Sequence, residues 1–224
     1  MQTEVILAVG KRGTGKTHWA RQFVSSKTRV LVADAGFGEF PFTSIPDGDF
    51  DSLCSELRRG FFRLSYTPMS WEWPHLLNAA MAAGREAPIW LVLEEASRVP
   101  PPRACEEYER LLIMGRHYGV NLLALSTRPS HLPPDYRSQA TKVVAFRQHE
   151  ERDLDYLSGI IGRRAYDLPR LRIHPAGYSD HIIWTDRGEI PPAGPLETAQ
   201  HELPLPPETS TEEKIVLDKE TEIA

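Results

Sequence analysis

The chain has 224 residues, 41% hydrophobic and 25% charged, with 26 Lys and Arg against 31 Asp and Glu for a net charge of −5. That balance excludes a chain too polar to collapse, and no apolar run approaches the roughly 20 residues that cross a bilayer, so no transmembrane segment is expected. One main domain is expected, intracellular because the N-terminus enters a strand without a basic and apolar leader series.

Glu4 to Val9 is a short run rich in β-branched residues, followed by a Gly-rich loop and a helical stretch from Lys16 to about Ser26 with Trp19, Ala20 and Phe23 at helical spacing. Arg29 to Ala33 predicts a second strand, ending at Asp34. Strand, helix, strand is the opening of a parallel α/β sheet. Gly36, Gly38, Pro41, Pro46 and Gly48 make 35–50 an irregular loop. A helix near Asp51–Arg59, a strand near Phe61–Tyr66 and a helix over Pro68–Gly84 come next. Ile89–Leu93 is an unbroken apolar run of the buried parallel-strand type. After Pro100, Pro101 and Pro102 a helix is predicted over Arg103–Tyr118, then strands at Val120–Leu125 and Val143–Phe146.

Glu150–Ile161 reads as a helix, and Arg170–Ile173 with Asp180–Thr185 as a late hairpin or edge pair. Residues 1–187 hold 24 Lys and Arg against 22 Asp and Glu, whereas 188–224 hold 2 against 9. The last 37 residues, 188–224, are also rich in proline, so the expectation is a folded domain over 1–187 and a disordered acidic tail. Arg147, Arg152, Arg163, Arg164, Arg170 and Arg172 fit a solvated helix face or a phosphate-backbone surface. Trp71, Trp73 and Trp90 are spaced for core packing rather than base stacking. Cys54 and Cys105 suggest two reduced thiols, and the scattered histidines no metal cage.

Gly10-Lys11-Arg12-Gly13-Thr14-Gly15-Lys16-Thr17 matches GxxxxGK[ST], the Walker A pattern, between a predicted strand and a predicted helix. Glycines let such a loop wrap phosphates, so that successive N–H groups and the helix N-terminus point at the β-phosphate. The loop residues and His18 directly after them are the candidate ATP-binding set. Lys16 is expected to neutralise the β and γ oxygens, and Thr17 to place its hydroxyl on Mg²⁺. Leu91-Val92-Leu93-Glu94-Glu95 delivers two acids at the end of a buried strand, where α/β sheets bind ligands. Glu94 is the candidate Mg²⁺ acid and Glu95 the residue that polarises an attacking water. Asp34 either supports this site or caps its own loop, with capping the stronger expectation.

The wording GKRGTGKT, the strand LVLEEA and the run GRHYGVNLLALSTRPSHLPPDYRSQATKVVAFR together resemble the additional-strand ATPases of the FtsK/HerA group. That group includes the small genome-packaging ATPases of membrane-containing viruses. The likeness covers residues 4 to 162 and implies a three-layer RecA/ASCE-like P-loop NTPase fold with a central, mostly parallel sheet flanked by helices. The group usually carries Asp where Glu94 stands, and Gln before the Arg-Pro pair as a γ-phosphate sensor. Thr127 takes that second place here, with Ser126 a close alternative. Rings of this type complete each site with an arginine from the neighbouring subunit, for which Arg116 is the first candidate and Arg128 the second.

The resemblance implies ATP hydrolysis driving double-stranded DNA through a homo-oligomeric ring of five or six subunits, with genome packaging the leading form. The setting would be a host cytoplasm, with association at the packaging vertex of a virion. The tail is a candidate docking segment for a capsid or membrane protein. A protein-assembly or secretion ATPase is the alternative. A small-molecule kinase is a third class, opposed by the paired Glu94 and Glu95, which suit water activation.

Overall fold

A computed structural model describes residues 3–34, 36, 38–97, 106–186 and 188–190. The strands are β1 (Val5–Val9), β2 (Arg29–Ala33), β3 (Thr43–Ile45), β4 (Phe62–Tyr66), β5 (Ile89–Leu93), β6 (Val120–Ser126), β7 (Lys142–Phe146), β8 (His181–Thr185) and β9 (Gly188–Ile190). The helices are α1 (Lys16–Ser25), α2 (Phe50–Leu57), α3 (Trp73–Glu86), α4 (Glu106–Met114), α5 (Pro134–Gln139) and α6 (Glu151–Ile161).

The strands form one nine-stranded sheet in the order β3-β4-β2-β5-β6-β1-β7-β8-β9. Every pairing from β3 through β7 is parallel; β8 and β9 run antiparallel at the far edge. Side chains alternate faces along each strand. Leu7 and Val9 of β1 enter one core, with Leu31, Leu91, Leu122 and Val143. Ile6 and Ala8 enter the other, with Val30, Val92, Leu123 and Val144. Helices α2 to α6 cover the first face; α1, through Ala20 and Val24, and Phe40 cover the second. This is the expected three-layer arrangement. Strand β6 pairs with β1 on one side and β5 on the other, so one strand stands between the strand before the Gly-rich loop and the strand ending in Glu94.

Several local expectations are corrected. Helix α3 starts at Trp73 rather than Pro68, because the buried Glu72 carboxylate accepts from Tyr66 Oη (2.9 Å) and the Met69 N–H (2.8 Å) and holds 67–72 as a loop. That loop carries Trp71 outward, 64% exposed, so Trp71 is not a core residue, whereas Trp73 and Trp90 are buried. Helix α4 ends at Met114 and tightens into a 3-10 turn over Gly115–Tyr118, closed by Gly119 in the left-handed region (φ 67°). The beginning of the predicted helix, with Arg103 and Cys105, lies outside the described residues. Residues 170–173 form no strand of a hairpin: a 3-10 stretch runs through Gly162–Arg170, and only a single Ile173–Ser179 bridge ties the segment to the turn before β8. Strand β8 instead pairs with β7, and β9 extends the sheet to Ile190. The acidic tail beyond it lies outside the described residues. No helix among them is long and apolar enough to cross a membrane.

Candidate functional site

The loop between β1 and α1 stands at the strand-end edge of the sheet, held by three neighbours. The Gly10 N–H donates to Ser126 O at the end of β6 (3.2 Å), the Lys11 N–H to Arg147 O just past β7 (2.9 Å), and the Ser179 N–H to Thr14 O (3.0 Å). Two glycines are required by geometry. A Cβ on Gly10 would lie 2.7 Å from Phe146 Cβ, and one on Gly15, which caps α1 at φ 100°, would lie 2.7 Å from Tyr178 Cβ. Thr14 Oγ1 donates to Lys11 O (2.7 Å), and Lys16 Nζ donates to Gly10 O (2.8 Å) and Lys11 O (3.0 Å), drawing the loop into a closed bowl. Burial pulls the Lys16 ammonium down to about 8, against the opposing pull of the Glu95 and Glu39 carboxylates. Lys11 and Arg12 are exposed on the rim, Thr17 is half-buried, and His18 is exposed on the first turn of α1. The bowl presents backbone N–H groups, a helix N-terminus and a desolvated lysine to the same point, which suits a polyphosphate.

The acids lie across β6 from the loop. Glu94 is 4% exposed; burial, with a hydrogen bond to Asp34 and that carboxylate's charge, pushes it up to about 8. Its Oε2 is buried without a hydrogen-bond partner. Asp34, at the end of the adjoining strand β2, takes the Gly36 and Gly38 N–H groups on its two oxygens (both 2.9 Å) and Ser65 Oγ (3.3 Å). It therefore caps its loop, as expected more strongly, and also contacts Glu94. Glu95 has φ 52°, the one positive value of a non-glycine residue among those described. Its Oε1 accepts from Ser97 Oγ (2.6 Å), the Thr127 N–H (3.1 Å) and Thr127 Oγ1 (2.9 Å).

A divalent cation fits these residues. The buried, unpartnered Glu94 Oε2 gains from a nearby positive charge. No group of three or more His, Cys, Asp or Glu among the described residues could hold a metal ion by itself. Mg²⁺ is ordinarily held by one or two carboxylates together with phosphate oxygens and water.

The remaining candidates fall in different places. Thr127 follows β6 directly and bonds Glu95, while Ser126 is fully buried and its Oγ accepts the Arg128 N–H (3.0 Å). Arg128 Nε donates to Asp153 Oδ2 (3.0 Å), a fully buried carboxylate that also takes Ser130 N–H, Ser130 Oγ and Gln148 Nε2. Gln148 Nε2 reaches Thr127 O as well (3.1 Å). Arg116 sits in the turn before β6, at the opposite edge of the sheet from the loop, exposed, with Nε donating to His117 Nε2 (3.3 Å). Arg152, Arg163, Arg164, Arg170 and Arg172 are exposed, as both a solvated face and a phosphate-backbone surface require. Ser97, Gln148, Asp153 and Tyr178 enter the site region without a contiguous sequence signal.

The parallel sheet, the loop between its interior strand β1 and α1, and the strand interposed before the acids define a P-loop NTPase fold. No family model and no curated protein matches the chain. Solved structures do. The genome-packaging NTPase B204 of Sulfolobus turreted icosahedral virus 2, in complex with AMPPCP, superposes with a TM-score of 0.67 at 17% identity, covering 86% of this chain and 100% of that one. The same protein with sulfate gives 0.68 at 16% identity over 86% and 98%. The cytoplasmic domain of the type VII secretion ATPase EccC from Thermomonospora curvata gives 0.54 at 15% identity, over 86% of this chain and 26% of that one.

Proposed function

We propose that this chain hydrolyses ATP and couples hydrolysis to the translocation of double-stranded DNA, packaging a viral genome. The observation that carries hydrolysis is the pairing of the closed lysine bowl with a clamped glutamate. Lys16 and Glu95 attract one another across the site, and Glu95 is oriented by three hydrogen bonds to one oxygen. In that reading the loop Gly10–Thr17 with His18 binds the phosphates, through the N–H groups that follow the two already donated to Ser126 O and Arg147 O, and Lys16 leaves the loop carbonyls to bond the β and γ oxygens. Thr17 and Glu94 would hold Mg²⁺, which supplies charge neutralisation on the transferring phosphoryl group. Glu95, its Oε1 occupied by the Thr127 and Ser97 donors, keeps Oε2 for the attacking water. Thr127 thus acts through Glu95 as a positioning residue.

Packaging is favoured by the likeness to B204, which spans 98–100% of that protein, whereas the secretion ATPase match spans 26% of its chain. A ring of five or six copies, a host-cytoplasmic setting with docking at the virion vertex, and a docking role for the acidic tail predicted over 188–224 belong to the same reading. The second reading, an ATPase that moves or assembles protein, keeps the same site and rests on the EccC likeness.

The deciding measurement is steady-state ATP hydrolysis with and without long double-stranded DNA, with Lys16→Ala and Glu95→Gln as controls. Stimulation by DNA that both variants abolish is expected. Hydrolysis indifferent to DNA would transfer the proposal to the protein-directed reading, and phosphorylation of a nucleoside would overturn both.

A further inference from the structure

Tyr178 occupies a position that the phosphate chemistry does not use. It lies in the turn before β8, with its Cβ against the Gly15 backbone, and its ring is nearly parallel to that of His18 (centroids 6.2 Å apart, planes 9° apart). It is also packed by His174 (centroids 4.7 Å apart, planes 28° apart), whose Nε2 is 2.6 Å from Asp180 Oδ1. Backbone hydrogen bonds close the turn. The His174 N–H donates to Tyr178 O (2.8 Å), the Gly177 N–H to His174 O (2.9 Å), and the Asp180 N–H to Arg172 O (2.9 Å). Ser179, next to Tyr178, binds Thr14 O through its N–H (3.0 Å), which ties the turn to the loop.

The direction of a bound nucleotide places this stack. A loop of this pattern holds the α- and β-phosphates on its N–H groups while its lysine reaches the β and γ oxygens. The γ end therefore points toward Lys16 and Glu95, and the α-phosphate lies over the first turn of α1, at Thr17 and His18. The nucleoside leaves from there, beside His18 and Tyr178. Aromatic faces held parallel at that point, exposed at His18 and half-buried at Tyr178, suit a planar heterocycle, since stacking uses the π-face that every base possesses.

We infer that the His18–Tyr178–His174 stack is the nucleobase platform of this site, with Tyr178 as the residue that carries base affinity. The inference rests on nucleotide binding at the Gly10–Thr17 loop. Recognition through ring faces favours purines over pyrimidines by stacking area and separates adenine from guanine only weakly.

Calorimetric titration of the full chain with Mg²⁺-ATP and with inorganic tripolyphosphate, which has no base, tests it. Tyr178→Ala should weaken ATP binding about 5- to 100-fold and leave tripolyphosphate binding unchanged, while Tyr178→Phe retains both. Unchanged ATP affinity in Tyr178→Ala would overturn the platform. So would equal loss of both ligands, which would make Tyr178 a brace for the loop. Loss of ATP affinity in Tyr178→Phe to the same extent would assign the effect to the hydroxyl and overturn stacking. A parent chain that binds neither ligand would instead overturn the nucleotide site itself.

Discussion

Glu95 combines a left-handed backbone that a side chain adopts only at a cost of about 1–3 kcal/mol with three donors converging on one carboxylate oxygen. The donors hold the conformation, and Thr127 supplies two of them. Thr127→Val keeps the shape and the N–H but removes the hydroxyl; kcat for ATP is expected to fall about tenfold or more with KM little changed, and Thr127→Ser to retain most of the rate. Loss of rate in Thr127→Ser with Thr127→Val unaffected would show that the methyl packing, not the hydroxyl, matters. Glu94 makes a separate prediction. Its folded value is raised from 4.5 to about 8, so between those pH values the folded chain keeps a proton that the unfolded chain has released. The native state binds more protons across that window, and stability must fall as pH rises through it. Lys16 acts in the opposite sense, but only above about 8, where the unfolded lysine still holds its proton. Thermal melts from pH 5 to 8 in metal-free buffer should therefore show a declining Tm in the parent and a flatter profile in Glu94→Gln.

Among the elements, those whose partners are local were legible and those set by distant partners were not. The apolar runs that became β1, β2, β5, β6 and β7, and the contiguous GKRGTGKT loop, carry their own signals of period, length and glycine spacing. The 67–72 loop does not: its residues fit a helix until the buried Glu72 claims the Tyr66 hydroxyl and the Met69 N–H, and this is also why Trp71 faces outward. Residues 170–173 read as a strand, yet β8 finds its partner in β7. The Thr127 turn likewise depends on Asp153, which lies far along the chain in the first turn of α6. Asp153→Ala leaves Arg128, Ser130 and Gln148 without their shared acceptor and should cost about 3 kcal/mol or more, read as a lowered urea midpoint. Asp153→Asn, which keeps one oxygen acceptor, should cost less. At the opposite edge of the sheet, α3 meets the turn before β6 backbone to backbone. A Cβ on Gly84 would lie 2.3 Å from Tyr118 O and 3.0 Å from Val120 Cγ2. Gly84→Ala should therefore destabilise by about 1–3 kcal/mol despite alanine's better helix propensity.

Taken whole, the sheet has two chemically different edges, and the two candidate arginines divide between them. Arg128 lies at the strand-end edge with the loop, but its guanidinium is bonded to its own chain's Asp153. Arg116 precedes β6, whose seven residues span roughly 20 Å, so it stands at the edge away from its own loop and is exposed. A residue so placed can serve a phosphate site only on another subunit, as a heterologous ring interface would arrange. This favours Arg116 as the trans-acting group of the proposed ring and gives Arg128 a structural task. The consequence is complementation. Lys16→Ala and Arg116→Ala are each expected to abolish hydrolysis, yet rings assembled from an equal mixture contain interfaces that pair an intact loop from one variant with an intact arginine from the other. Random assembly makes these about a quarter of all interfaces, so hydrolysis should recover toward that fraction in the mixture and in neither variant alone. Mixtures that form mixed rings without recovering activity would remove Arg116 from the site. Recovery in the same experiment with Arg128→Ala, but not with Arg116→Ala, would reverse the assignment and require Arg128 to leave Asp153 when a neighbour docks.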